Sequence, residues 1–394
     1  MNRIPADELK VRMANFTARM DKLCPDWETA MIVSKINIYY FTGTQQNGIL
    51  LIRRGKDAVF YVRRSFYRAE HESEFGNIVK INSFKDIAAA AGNCGSRVHM
   101  EKEFVPLAYF ERVNKYFNFK ETLSCDLALS VTRSVKTKYE LNIMRIAGRL
   151  HGKTLTEFVP SVVRKGISEK ELGSEILKYM MDNGHQGIAR LAMFNTEMFL
   201  GQVCFGDNSM YFNTFDGPGG VLGISPAAPF FGNADRILDD NELIFIDIGC
   251  GIDGYYTDKT QVYSLGTLPD VAYEYHDRCV KILEETVSRL KPGAVPSKIY
   301  EEVMNGIDDD FLEYFMGVKD ERVKFLGHGI GLVIDEYPVI AKGFDEPIEE
   351  HNVFAVEPKR GIPGIGLVGL ENTYVVTTEG AECITGCTKP IIRL

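Results

Sequence analysis

Residues 245–258 read Phe245-Ile246-Asp247-Ile248-Gly249-Cys250-Gly251-Ile252-Asp253-Gly254-Tyr255-Tyr256-Thr257-Asp258. Leu243 to Ile248 form an apolar strand pattern with one carboxylate set into it. A glycine-rich turn follows, and a second short run carries Asp258. Two turn registers are open. A two-residue loop at Ile252-Asp253 places Asp247 directly opposite Asp258, with Cβ atoms roughly 4.5–5.5 Å apart. A loop at Asp253-Gly254, the pairing that tight hairpins favour, sets Asp247 against Thr260 instead. Both acids share one face in either case, because a shift of two positions preserves parity. Two bare carboxylates that close repel, and one keeps its proton unless a cation lies between them. Singly, such acids are ordinarily solvated strand-end or turn residues, so partners elsewhere decide the reading.

Three such partners lie downstream. Gly327-His328-Gly329-Ile330-Gly331-Leu332 sets a lone histidine between glycines, where backbone can approach closely. Val353-Phe354-Ala355-Val356-Glu357-Pro358 ends an apolar strand on a carboxylate, and Leu367 to Val376 embeds Glu371 in a strand that otherwise reads as buried. Charged side chains are rarely buried unless paired or metal-bound. Four carboxylates and one imidazole form a hard, oxygen-rich set that suits Mn, Co, Fe or Zn better than a thiolate site would.

In this order, the Asp-x10-Asp spacing of Asp247 and Asp258, Gly-His-Gly-Ile-Gly-Leu, Val-Glu-Pro and Gly-Leu-Glu-Asn-Thr resemble the metal-ligand signature of the aminopeptidase P, prolidase and methionine aminopeptidase family. Residues 133–147 resemble the entry helix of that family, and residues 28–62 the amino-terminal domain of its aminopeptidase P and prolidase branch. The resemblance implies an α/β (α+β) chain with a creatinase-like domain over 1–132 and a pita-bread metallohydrolase domain over 133–394. It implies two divalent ions, manganese above all, held by Asp247, Asp258, His328, Glu357 and Glu371. Water between such ions is acidified into a nucleophile, and Glu357 is expected to take its proton and pass it to the leaving nitrogen. The implied substrate is a small peptide or another small C–N compound, and the implied assembly is a homodimer.

The departures from the family pattern are specific. Family peptidases carry a histidine seven residues after the ligand histidine, just before a Glu-x-Pro. Here Glu336 and Pro338 match that motif, but Asp335 takes the histidine's place. They also carry a histidine about 17 residues before the first Asp. Here that neighbourhood is Pro229-Phe230-Phe231-Gly232, with no histidine between His185 and His276. An anion in place of an imidazole repels an oxyanion, so the chain reads as a divergent branch. Asp335 would orient a cationic or amine-bearing substrate. Alternatively it would serve as the base of a lyase acting on a sulfonium acid such as dimethylsulfoniopropionate, a chemistry found on this scaffold. A third reading is a binding homologue without activity, against which the complete five-ligand set speaks.

Composition is that of an ordinary globular protein. The 394 residues exceed the usual span of one core, and 45% apolar with 25% charged residues is ordinary for a soluble chain. A net charge of −9, without basic runs, argues against nucleic acid or an anionic membrane as partner. Neither a signal peptide over residues 1–20 nor a long apolar span is legible, and a cytoplasmic protein is expected. The eight cysteines show no disulfide framework. Cys383 and Cys387, the one close pair, are a weak zinc signal, and free thiols are expected throughout.

Along the chain, helices are expected at 6–22, 64–75, 138–158, from Ser168 to Asn183, from Pro269 at N1 to Leu290, and from Pro296 to Phe315. Strands are expected at 30–33, 36–41, 48–52, 58–62 and 79–81, with 99–101 and 127–131 closing the first unit. Short strands are expected in the glycine-rich stretch 189–240, which includes Asp216 to Gly220. Gly152-Lys153-Thr154 resembles the tail of a phosphate loop but lies mid-helix, without the earlier glycine. Two rounds of helix, helix and sheet indicate an internally duplicated second domain.

Overall fold

Ser34 begins a helix that composition assigns to a strand: its hydroxyl accepts from Asn37 N and Gly43 ends the turn in the left-handed region, so Lys35–Thr42 is α2. Ile38, Tyr40 and Phe41 are buried, and this packing overrides their strand propensity. The computed structural model describes residues 3–193, 195–212, 217–318 and 321–394. Asp216 lies outside them. Two compact units, Met1–Arg133 and Ser134–Leu394, divide the chain.

The first unit is built on a mixed six-stranded sheet. Its strands are Thr29–Ile32 (β1), Gly48–Arg53 (β2), Val59–Val62 (β3), Ile78–Lys80 (β4), Arg97–Met100 (β5) and Glu121–Ser124 (β6), in the order β4-β3-β2-β1-β5-β6. Its other helices are Ala6–Leu23 (α1), Phe66–Glu72 (α3), Phe84–Ala91 (α4), Leu107–Phe117 (α5) and Asp126–Ser134 (α6), the last of which contains 127–131.

The second unit opens with Lys138–Lys153 (α7), capped reciprocally by Thr137 and Glu140. A π-turn, Thr154–Phe158, carries it into Val159–Val162 (α8). A Cβ at Gly148 would stand 2.1 Å from Ile384 O and one at Gly152 2.9 Å from Thr385 O. Gly152 therefore lets the carboxy-terminal segment pack on the helix, and no phosphate role is needed to explain it. Glu169–Asp182 (α9) takes its cap from Ser168, whose hydroxyl accepts from Glu171 N, while the Glu171 carboxylate turns to Arg164. Only the Ser168 half of a capping box forms there. The described residues of the stretch 189–240 are mostly loop and isolated bridges around Gly201–Phe205 (β7) and a 3-10 turn, Gly206–Met210, where a series of short strands was expected.

Glu242–Ile252 (β8) and Tyr255–Leu265 (β9) form the long hairpin. Helices Asp270–Ser288 (α10), Pro296–Met304 (α11) and Asp309–Leu312 (α12) follow. Pro269 is the cap residue of α10 and not its first helical residue. The single helix expected to reach Phe315 is broken at Asn305-Gly306, and Asp308 starts α12 by accepting from Phe311 N. The remaining strands are Gly317–Val318 (β10), Glu321–Arg322 (β11), Phe325–Gly329 (β12), Glu336–Ala341 (β13), Val353–Val356 (β14), Lys359–Ile362 (β15), Gly366–Gly369 (β16), Asn372–Thr377 (β17), Gly380–Cys383 (β18) and Ile392–Arg393 (β19). They build a sheet β13-β12-β14-β17-β18 and a hairpin β15-β16, while β19 joins β9, β8 and β7. The two main sheets meet where Thr260 and Glu371 exchange backbone hydrogen bonds, 3.3 and 3.4 Å. Cys383 and Cys387 form a disulfide across a Cα separation of 6.1 Å, which corrects the expectation of free thiols for that pair. No helix among the described residues is long and apolar enough to cross a membrane.

Candidate metal centre

The hairpin takes the Asp253-Gly254 loop. Asp247 faces Thr260 and Asp258 faces Gly249, so the register that opposes the two acids directly does not form. Asp253 itself adopts a positive φ of 46°, which the following Gly254 shares at 94°. Parity holds, and the two carboxylates line one pocket with His328, Asp335, Glu357 and Glu371. Ligand atoms of Asp258, His328 and Glu371 lie within 4.8 Å of one another, as do those of Asp247, Glu357 and Glu371.

Each side chain is placed by strand pairing. His328 lies on β12 between Gly327 and Gly329, which pair with Val356 and Phe354 of β14. Its Nδ1 is 2.9 Å from Gly329 O, an acceptor only, so Nδ1 carries the proton and Nε2 faces the acids. That nitrogen is 3.4 Å from Asp335 Oδ1, 3.4 Å from Glu357 Oε1 and 3.8 Å from Glu371 Oε1. Glu357 follows β14, its N–H bound to Leu326 O at 3.0 Å. Glu371 accepts at Oε2 from Thr260 Oγ1, 3.0 Å, while its buried Oε1 accepts no hydrogen bond.

Three buried carboxylates, Asp258, Glu357 and Glu371, with half-buried Asp247 beside them, are electrostatically costly in one place. Like charges 4 Å apart repel by ~4 kcal/mol at an effective dielectric constant of about 20. Burial, with Asp247 beside it, pushes the Asp258 carboxyl well above its ordinary range. Burial and then Asp258 and Glu357 do the same to Glu371. Burial opposes charge on His328, but Asp335, Glu357 and Glu371 outweigh it and raise its pKa well above the usual imidazole value. The set calls for positive charge. An orphaned buried Glu371 Oε1, an imidazole nitrogen turned inward by its own backbone and oxygen-rich neighbours fit a divalent ion.

One cation is already present. Lys359, on β15 and fully buried, puts Nζ 2.8 Å from Asp247 Oδ2, 2.7 Å from Glu357 Oε2 and 2.9 Å from Glu371 Oε2. Burial opposes its charge, yet the three carboxylates prevail and hold its pKa well above the lysine value. Burial likewise raises Glu357, but Lys359 and His328 more than offset it and keep the carboxyl below its usual range. Sequence reading overlooked Lys359. Its signal was spacing: it stands two residues after Glu357, in the run Pro358-Lys359-Arg360-Gly361-Ile362. Gln202, paired with Asp247 across β7 and β8, was also overlooked; it lines the pocket with a buried Oε1 that accepts no hydrogen bond.

Asp335 holds a left-handed backbone, φ 65°, and lines the pocket. Glu336 points elsewhere, pairing with buried Lys136 at 3.3 Å and accepting from Val333 N. The region where a histidine is absent supplies only core: Phe231 packs against Phe199, with ring centroids 5.6 Å apart, and its backbone bonds Gly201 and Val203. His276 serves structure, taking Gly369 N–H at Nδ1 and meeting Lys389 O at Nε2.

His185 anchors the turn of the metal hairpin, where Nδ1 accepts from Gly251 N at 3.0 Å. Burial lowers its pKa from 6.5 to about 4. The unfolded chain therefore takes up this proton first as pH falls through 6.5, and stability is lost between pH 6.5 and about 4. At about 1.4 kcal/mol per unit, the loss amounts to ~3 kcal/mol. His185→Gln retains an acceptor for Gly251 and should flatten the denaturant midpoint over that range. An unchanged pH slope would show that other groups cause it.

Comparisons with known proteins cover nearly the whole chain. Residues 142–378 match the model of metallopeptidase family M24, and residues 12–135 match the creatinase/prolidase N-terminal domain. An Xaa-Pro dipeptidase of Pyrococcus furiosus is 24% identical over 385 residues, covering 98% of this chain and 100% of the relative. An uncharacterized peptidase of Staphylococcus aureus is 25% identical over 366 residues, 91% of this chain and 94% of its own length. Among solved structures, the prolidase of Pyrococcus horikoshii superposes with a TM-score of 0.79 at 22% identity, covering 97% of this chain and all of the other. The X-Pro aminopeptidase of Thermotoga maritima gives 0.77 at 22% identity, covering 95% and 100%.

Proposed function

The chain belongs to metallopeptidase family M24, with a creatinase-type domain before a pita-bread domain, and from that premise we propose a metal-dependent hydrolase of the Xaa-Pro aminopeptidase or dipeptidase type. We assign residues 1–132 to the first domain and 133–394 to the catalytic one. The observation that carries the reading is the convergence of Asp247, Asp258, His328, Glu357 and Glu371 on one pocket.

Those five residues are the proposed ligands, and two ions, manganese foremost, are what family analogy supplies. A divalent ion there polarises a carbonyl and acidifies water. The protein's part is to hold and move protons. Glu357 Oε1 faces the pocket beside His328 while Oε2 is tied to Lys359, so Oε1 is the oxygen that takes a proton and returns it to the leaving nitrogen. Asp335 offers an anion at the pocket wall, which favours a free amino group and disfavours an oxyanion. A small peptide is accordingly the proposed substrate. A cytoplasmic homodimer is proposed by family analogy.

Manganese-loaded protein should hydrolyse members of a panel of Xaa-Pro dipeptides and other short peptides, with Asp335→His raising kcat/KM on Xaa-Pro about tenfold or more. No hydrolysis across the panel would overturn the reading. A lyase is the second reading, favoured by Asp335 standing at the pocket where a base is needed. Elimination from a sulfonium acid, tested alongside, would establish it.

A further inference from the structure

We infer that the ammonium of Lys359 takes the place of one of the two cations this carboxylate cluster can accommodate, so that the centre binds a single divalent ion at Asp258, His328 and Glu371. The inference rests on the metal-centre reading and narrows it. An ammonium has three N–H donors and no acceptor. All three are spent here, on Asp247 Oδ2, Glu357 Oε2 and Glu371 Oε2 at 2.7–2.9 Å. These acids come from separate strands or their ends, so Nζ sits at a point of convergence and not beside one chance neighbour. They are also the three acids that make up one of the two candidate ligand groups.

An ion bound to those oxygens would stand about 2.1 Å from each, in the space that Nζ fills. The lysine is enclosed on several sides. It is fully buried, its carbonyl accepts from Met316 N, and it pairs with Gly369, where even a Cβ would come within 3.2 Å of Lys359 Cγ. In the second group, Asp258, His328 and Glu371, the ammonium meets only Glu371, through Oε2. Lys259, the other buried lysine nearby, bonds Asn372 Oδ1. Glu371 belongs to both groups and divides its oxygens: Oε2 meets Lys359, and Oε1 is the buried atom that accepts no hydrogen bond. One position thus carries a permanent cation of the protein's own, and the other retains open donors.

The test is metal counting on the full chain, with Mn²⁺ as probe. After loading and desalting, elemental analysis should find about one ion per chain, with the electron paramagnetic resonance of an isolated Mn²⁺ and no exchange coupling. Asp247→Asn should keep that ion and His328→Ala should lose it, while Lys359→Gly should take up a second. Two ions in the unaltered protein, or an exchange-coupled pair, would overturn the inference and leave the metal centre standing. A count that stays at one in folded Lys359→Gly would also overturn it. No ion in the unaltered protein would defeat the metal-centre reading and this inference together. Should Lys359→Gly fail to fold, the count and spectrum of the unaltered protein decide.

Discussion

Glu357→Gln is expected to lower turnover about a thousandfold or more while leaving bound metal in place. The two side chains have the same shape, and the amide oxygen can still accept from Lys359, which keeps Asp247 and Glu371 as further partners. What the amide cannot do is take up a proton and give it back. Positioned acid–base groups contribute roughly 10²- to 10⁴-fold, and at Glu357 burial raises the carboxyl pKa while Lys359 and His328 more than offset it. An acid held in its basic form beside the reacting centre suits proton abstraction. kcat and metal content measured on the same preparation separate the two roles. Full turnover with metal retained would remove Glu357 as the proton carrier, and loss of metal would show that it acts mainly as a ligand.

Gly327→Ala is expected to cost ~3 kcal/mol or more, through backbone collision and not through chemistry. An alanine Cβ there would lie 2.3 Å from Ala355 O and 3.0 Å from Val356 Cα, both in the paired strand β14. Overpacking a core ordinarily costs about 1–3 kcal/mol, and flexible side chains usually absorb part of it. Here the obstacle is the backbone of a central strand whose far side pairs with β17, so neither partner can yield alone. Gly306→Ala is the matched control: its nearest contact, Val303 O, is 3.4 Å away, and its midpoint should shift by no more than about 0.5 kcal/mol. The denaturant midpoint checks both. An unperturbed Gly327→Ala would mean that β12 and β14 separate more readily than their pairing implies.

That glycine also shows how sequence and fold relate in this protein. A histidine between two glycines is legible as a place of close backbone approach, and the strand packing around Gly327 and Gly329 supplies the approach. Caps did not decide which helices were legible: those starting at Thr137 and Ser168 were read, but α2, capped by Ser34, and α12, started by Asp308, were missed. Ile36 to Phe41 looks like a strand because buried helices and buried strands draw on the same apolar residues. The break at Asn305-Gly306 was hidden by apolar spacing that continues past it. In the site, Asp335 and the missing histidines were visible as departures, but the place of Lys359 was not. A lysine two residues from a glutamate is an ordinary surface pattern until strands from both halves close around it.

Taken alone, the sequence determined which strands carry acids, that Asp247 and Asp258 share a face, and that His328 has backbone on both sides. These are properties of strand period and of glycine, local along the chain. Only the tertiary structure decided the hairpin register, the Glu371 Oε1 that accepts no hydrogen bond and the seat of the Lys359 ammonium among Asp247, Glu357 and Glu371. The register is settled within the hairpin by its two-residue loop, whereas the seat of Lys359 joins Asp247, 112 positions away, to Glu357 and Glu371 and depends on how the two sheets meet at Thr260 and Glu371. Charge is felt across such gaps only after folding brings the carboxylates together and removes the water that would screen them.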